Sequence, residues 1–314
     1  MTTAVTRILV GLLTMFVASC QQKAADTVKI GFSTWPAYEY LYLAQEQNYF
    51  KELGVPIKLI EYASLSDVRR GYERGKLDGM ASTLVELLQV KAFSKRDPRI
   101  ILALDYSNGG DVVIAQKNIK TIADLKGRRV GADTSSLPLY VLARALEQAQ
   151  LKVTDVEVVN SAHLTLIEAY KQGKLDAIVT YSPYSQEILK LNDSHIVFSS
   201  KSIQNEIVDV LSIEQSVIHA HPDYVDKIKQ AWQKSLEFSQ QNPDAAMRIM
   251  AGREKISPAE FKANLDSMVL IDLEHQQDIL SGIPETLEKT RNIMVEIKAL
   301  PDHTPYACCV ARLE

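Results

Sequence analysis

A nine-residue pattern occurs twice in this chain, which points to two related halves. Tyr72-Glu-Arg-Gly75-Lys76-Leu77-Asp78-Gly-Met returns 98 positions later as Tyr170-Lys-Gln-Gly173-Lys174-Leu175-Asp176-Ala-Ile. Each copy ends an amphipathic helix at a Gly, where a left-handed residue closes the helix, and then enters an apolar strand. A second alignment, at an offset of 100, sets Gly31 on Gly131, Thr34 on Thr134 and Tyr40 on Tyr140. Each half opens with a short apolar strand (28–32 and 129–132), a polar loop, and a helical stretch (37–53 and 137–149). Strands alternating with helices predict parallel-rich sheets with helices on both faces, hence a two-lobed α/β fold.

The joins between the lobes are also readable. Residues 104–115 form an apolar strand broken by Gly109 and Gly110, then Asp111, which predicts a crossover. Residues 206–213, with Asp209, predict the return. Lobe one is therefore expected at 27–106 plus 207–300, and lobe two at 112–205, with Gly109, Gly110, Asp111 and Asp209 at the hinge. After Ser216 the pattern is helical. Ser257-Pro-Ala-Glu260 is a capping box with Pro at the first helical position, and a last helix is expected from Pro284 to Leu300. These helices are expected on lobe one. The tail 301–314 shows no pattern.

The first 19 residues hold one basic residue, Arg7, and an apolar stretch from Ile8 to Ala18, ending in Val17-Ala18-Ser19-Cys20. That stretch is short for a bilayer span and suits a signal peptide. Small residues just before a Cys resemble the processing site of bacterial lipoproteins. Cys20 is then the lipidated (palmitate-bearing) residue, with 20–26 as a linker. The expected location is the periplasmic face of a membrane, the outer one in a Gram-negative cell because no Asp follows the Cys.

Lys+Arg 35 against Asp+Glu 39 gives a net charge of -4 without a basic run, which argues against nucleic acid. Three Cys exclude a disulfide-stapled scaffold. No Gly-x-Ser-x-Gly elbow, His-Glu-x-x-His, phosphate-binding Gly-rich loop or Cys-x-x-Cys is present, so no enzyme motif, metal site or cofactor site is expected. Cys308-Cys309 near His303 is too local for tetrahedral metal ligation.

Ligands of parallel α/β sheets bind beyond the C-terminal strand ends. Those loops carry Trp35, Tyr38, Glu39, Ser64, Ser66 and Thr83 in lobe one, and Asp133, Ser135, Tyr181 and Tyr184 in lobe two. Turn aromatics can stack on a planar ligand or plug the seam. The serines can cap helices or leave free N–H groups for a ligand. Asp111 and Asp209 can equally brace the crossovers. Acids are frequent in and near these loops while Lys and Arg are scarce, which favours a neutral heteroaromatic or cationic ligand over a sulfonate.

Thr34-Trp35-Pro36-Ala37-Tyr38-Glu39-Tyr-Leu41-Tyr42-Leu43-Ala44 resembles a Trp-Pro-Gly-Tyr-Glu-x-Leu-Tyr-Leu-Ala segment. Thr121-Ile-Ala-Asp124-Leu125-Lys126-Gly127-Arg-Arg-Val130-Gly131 and Gly173-Lys-Leu-Asp176-Ala177 with Pro183-Tyr184 resemble later segments of the same family. That family is the solute-binding proteins of ABC importers, in the group for nitrate, sulfonates, taurine and thiamine-precursor pyrimidines, and the resemblance covers about 27–300. It implies a type II periplasmic-binding-protein fold, a monomer whose lobes close on a small molecule and present it to an ABC permease. It carries binding roles to Trp35, Tyr38, Glu39, Ser64, Ser66 and Ser135, with Ala37 standing where the motif has Gly. Two alternatives remain: a ligand-sensing partner of a membrane signalling protein, and a pyrimidine-synthesis-type enzyme, whose Cys-rich motif Cys308-Cys309 does not match.

Overall fold

A computed structural model describes residues 27–306 and 309–311. The leader 1–19, Cys20, the linker up to residue 26, and Cys308 lie outside the described residues.

The chain runs through β1 (Val28–Ser33), α1 (Glu39–Glu46), α2 (Tyr49–Glu52), β2 (Ile57–Tyr62), α3 (Leu65–Glu73), β3 (Gly79–Thr83), α4 (Leu84–Phe93) and β4 (Pro98–Ser107). It crosses to β5 (Asp111–Gln116), β6 (Arg129–Gly131), α5 (Leu137–Gln148), β7 (Glu157–Val159), α6 (His163–Lys171), β8 (Ala177–Tyr181), α7 (Tyr184–Leu189) and β9 (Ser194–Ser199). It returns as β10 (Val208–Glu214), α8 (Gln215–Ala220), α9 (Asp223–Gln241), α10 (Pro243–Glu254), α11 (Pro258–Leu265), β11 (Met268–Leu270) and α12 (Gln276–Glu296).

The strands form two sheets, ordered β2-β1-β3-β10-β4-β11 and β7-β6-β8-β5-β9. In each, three neighbouring strands run parallel, β2-β1-β3 and β7-β6-β8. The fourth strand is antiparallel and is the one just arrived from the other sheet: β10 beside β3, and β5 beside β8. The two crossovers are stitched together. Ser107 Oγ lies 2.9 Å from Ser200 Oγ, the Gly109 N–H donates to Ser200 Oγ at 2.7 Å, and the Ser107 N–H donates to the Ile207 carbonyl at 3.0 Å.

The repeated segment has a repeated job. Gly75 and Gly173 both take φ +69°, the left-handed turn that ends α3 and α6. Asp78 then accepts from the Lys29 N–H at 2.8 Å, and Asp176 from the Arg129 N–H at 2.9 Å. Leu77 packs over Gly31 and Leu175 over Gly131, so closely that a Cβ would meet the leucine methyl at 2.4 and 2.6 Å. In each half the motif fastens a helix end to the middle strand of the parallel trio, β1 or β6.

Some expected boundaries move. The stretch 37–53 divides, because Asn48 adopts φ 60° between α1 and α2. The last helix begins at Gln276, and Pro284 lies inside it. The reason is tertiary. The buried Gln276 amide both accepts from the Ala103 N–H at 2.8 Å and donates to the Ala103 carbonyl at 2.7 Å, pinning the helix start to β4. The helices α9 and α10 pack on α1, whereas α12 lies on α4 and β4 and also reaches α5 of the second sheet. The tail is partly placed: Val310 bridges to Ile100 and Cys309 is buried. Among the described residues no helix is long and apolar enough to cross a membrane.

Candidate ligand-binding cleft

A narrow cleft, with free space of about 20 Å³, lies between the sheets at the C-terminal ends of β1, β3 and β8. Its walls include Ser33, Trp35, Tyr38, Ser64 and Thr83 from the first lobe, Asp133, Ser136, His163 and Tyr181 from the second, and Asp111 and Asp209 from the crossing strands. Among the described residues, no Lys or Arg lines it.

The aromatic wall is braced by acids. The Trp35 indole N–H donates to both oxygens of Asp105, at 3.2 and 3.3 Å. The Tyr38 hydroxyl donates to Asp209. Across the seam Trp35 meets Tyr181 edge-on, with ring centroids 6.3 Å apart. Tyr181 stacks on His163 at 4.5 Å, and Tyr184 stands edge-on to both. Gly110 permits this arrangement, since a Cβ there would come within 2.5 Å of the Trp35 ring.

Burial sets the charge state. Asp111 is pushed up to about 7 by desolvation, opposed by its hydrogen bond from Ser107 and aided by the Glu86 charge. Its Oδ2 is buried without a hydrogen-bond partner. Asp105 and Asp209 also titrate well above the usual carboxylate range, first because they are buried, then because neighbouring acids repel them. His163 is pushed down to about 4 by burial, against the pull of Asp133, so the imidazole is neutral near pH 7. A carboxylate in so dry a place is stabilised by a cation and destabilised by a second anion. Among the described residues no three His, Cys, Asp or Glu side chains converge as metal ligands.

Six of the ten candidate ligand contacts line the cleft: Trp35, Tyr38, Ser64, Thr83, Asp133 and Tyr181. The other four stand behind it. Glu39 is fully buried in an ion pair with Arg253, which also reaches Glu61 at 3.0 Å. Ser66 bonds Ser64 and Arg70, and Ser135 bonds Asp133. Tyr184 supports Tyr181 and His163. Of the hinge candidates, Asp111 and Asp209 line the cleft itself, and Gly110 backs Trp35. Glu86 escaped the sequence reading. Thr83-x-x-Glu86 before an apolar run is a capping-box signature that could have found it.

Two α/β lobes, exchanging one strand each across a double crossover and enclosing a cleft, define the periplasmic-binding-protein class in its type II form. The comparisons agree. The alkanesulfonate-binding protein SsuA of Xanthomonas axonopodis pv. citri, solved with MOPS, superposes with a TM-score of 0.78 over 91% of this chain and 98% of its own, at 15% identity. The taurine-binding periplasmic protein of Escherichia coli is 24% identical over 241 residues, 74% of this chain and 72% of that protein. A binding protein of Brucella abortus is 25% identical over 174 residues, and the match spans about half of its length, 52%. Residues 35–246 match the NMT1/THI5-like family, and the chain belongs to it.

Proposed function

We propose that this protein is an exported solute-binding protein that captures a small cationic or heteroaromatic base between its lobes and hands it to an ABC importer. The observation that carries the reading is the cleft itself: an aromatic wall, five buried acids in or directly behind it (Glu86, Asp105, Asp111, Asp133 and Asp209), and no Lys or Arg. Aromatic faces attract cations and planar rings, and the buried, unpartnered Oδ2 of Asp111 favours a ligand that donates a hydrogen bond or carries positive charge. The relatives that bind taurine or alkanesulfonates support the solute-binding part. Residues 112–205 act as the moving lobe, Gly109 and Gly110 mark the hinge, and Cys20 is the proposed lipid anchor that holds the protein at the periplasmic face of a membrane.

Native mass spectrometry of the exported protein, followed by denaturing release, tests this. The expected result is a retained small molecule bearing a basic nitrogen. A parallel thermal-shift screen covers amines, pyrimidines, sulfonates and nitrate. Stabilisation by sulfonates or nitrate alone would overturn the ligand class. No retained mass and no stabilisation by any of the four classes would overturn the solute-binding role.

A further inference from the structure

Glu86 is wholly buried, three residues beyond the cap of α4 on the first sheet. Its Oε2 accepts from the Thr83 N–H at 3.1 Å and from the Thr83 hydroxyl, which closes the capping box of its own helix. Its Oε1 reaches the other lobe. There it accepts from the Ser136 hydroxyl at 2.6 Å and from the Leu137 N–H at 3.0 Å, at the start of α5. The Ser136 side chain does not cap α5 itself. A helix start presents unpaired N–H groups and the positive end of the helix dipole, a natural seat for an oxyanion. Here that seat opens on the cleft, which Ser136, Leu137 and Pro138 line, and it already holds a carboxylate.

We propose that Glu86 is the specificity-determining residue of the cleft: a built-in oxyanion that fills the donor end of α5 and so bars sulfonates and carboxylates. The inference rests on reading the cleft as the solute site. It explains how a fold shared with sulfonate binders can refuse a sulfonate without any change in architecture. Replacing one carboxylate changes which charge the helix start accepts. The same side chain ties the two lobes, since its two oxygens bond helices of different sheets.

The test is calorimetric titration with methanesulfonate at about pH 6, where Asp111, pushed up to about 7, is largely neutral. Wild type is compared with Glu86→Ala, Glu86→Ser and Glu86→Gln. Alanine and serine vacate α5. Glutamine still fills the space at α5 with an amide that can turn its one oxygen toward Ser136 and Leu137, and it gives up an acceptor on the Thr83 side. The expected result is at least about a tenfold tighter methanesulfonate affinity in the alanine and serine variants than in wild type, with little gain in the glutamine variant. Serine offers a hydroxyl to α4 and serves as the folded variant if alanine unfolds, checked by circular dichroism. Three results would overturn the proposal: methanesulfonate binding to wild type as tight as to the variants, no gain in a folded alanine or serine variant, or an equal gain in glutamine. A wild type that retains its basic solute while the variants gain nothing defeats this inference and leaves the solute-binding role standing.

Discussion

Trp35 shows why a residue's place matters more than its type. The turn after β1 suggests an aromatic free to stack on a ligand, and the structure makes it a wall already held at one edge by Asp105. Two interactions can therefore be separated. Trp35→Ala removes the ring and is expected to weaken solute binding by at least about 1.5 kcal/mol, measured by calorimetry on a folded variant. Trp35→Phe keeps most of the ring but strips the N–H from the buried Asp105. It is expected to lose about 1–3 kcal/mol of stability in urea unfolding while keeping more of the affinity. If the two variants lose affinity equally, Trp35 is not a face for the solute. Glu39 teaches the converse. It sits in the same loop, but its partner Arg253 lies 214 residues away, and no local pattern announces such a pairing.

At the scale of elements, local signals are legible where the chain itself satisfies them. The helix-ending glycines, the capping box at Ser257, and the parallel strands at 28–33 and 129–131 follow from spacing alone. Local signals mislead where a distant partner decides. Pro284 reads as a helix start, since its ring suits the first turn and its missing N–H costs nothing there. The Gln276 clasp on Ala103 places the start eight residues earlier and leaves an exposed proline in a helix interior. Proline in that position lacks a helical hydrogen bond and crowds the preceding turn. Pro284→Ala is thus expected to stabilise the protein by about 1–3 kcal/mol, seen as a higher urea midpoint, with solute affinity unchanged. A lowered midpoint would mean that Pro284 is needed for α12 to pack on α4, β4 and α5 together. Glu86 illustrates the same limit from the other side. Its role in α4 is written locally as a capping box, whereas its role on α5 exists only once the sheets face each other.

For the whole molecule, the buried acids give stability an unusual pH dependence. Asp111 stands at about 7 in the fold against an ordinary 3.8, and Glu254 stands at about 8 against 4.5. Between the ordinary and the raised values the folded state binds protons that the unfolded chain has released, so stability falls as pH rises through that window. His163, held down at about 4 against 6.5, acts in the opposite sense between those two values, and offsets about one acid there. The expected outcome is a lower urea midpoint at about pH 8 than at about pH 5.5. Asp111→Asn should shrink that difference by about 2 kcal/mol, its share between pH 5.5 and 7. An undiminished difference would show that Asp111 ionises as an ordinary carboxylate.

The paired crossings between the sheets also have a mechanical meaning. A single tether would let one lobe swivel and tumble against the other, whereas two neighbouring strands, cross-linked through Ser107, Ser200 and Ile207, resist torsion while still permitting bending. On the proposed reading, such a joint would leave the lobes one bending motion, and the face offered to a permease would then carry one bit of news: occupied or not.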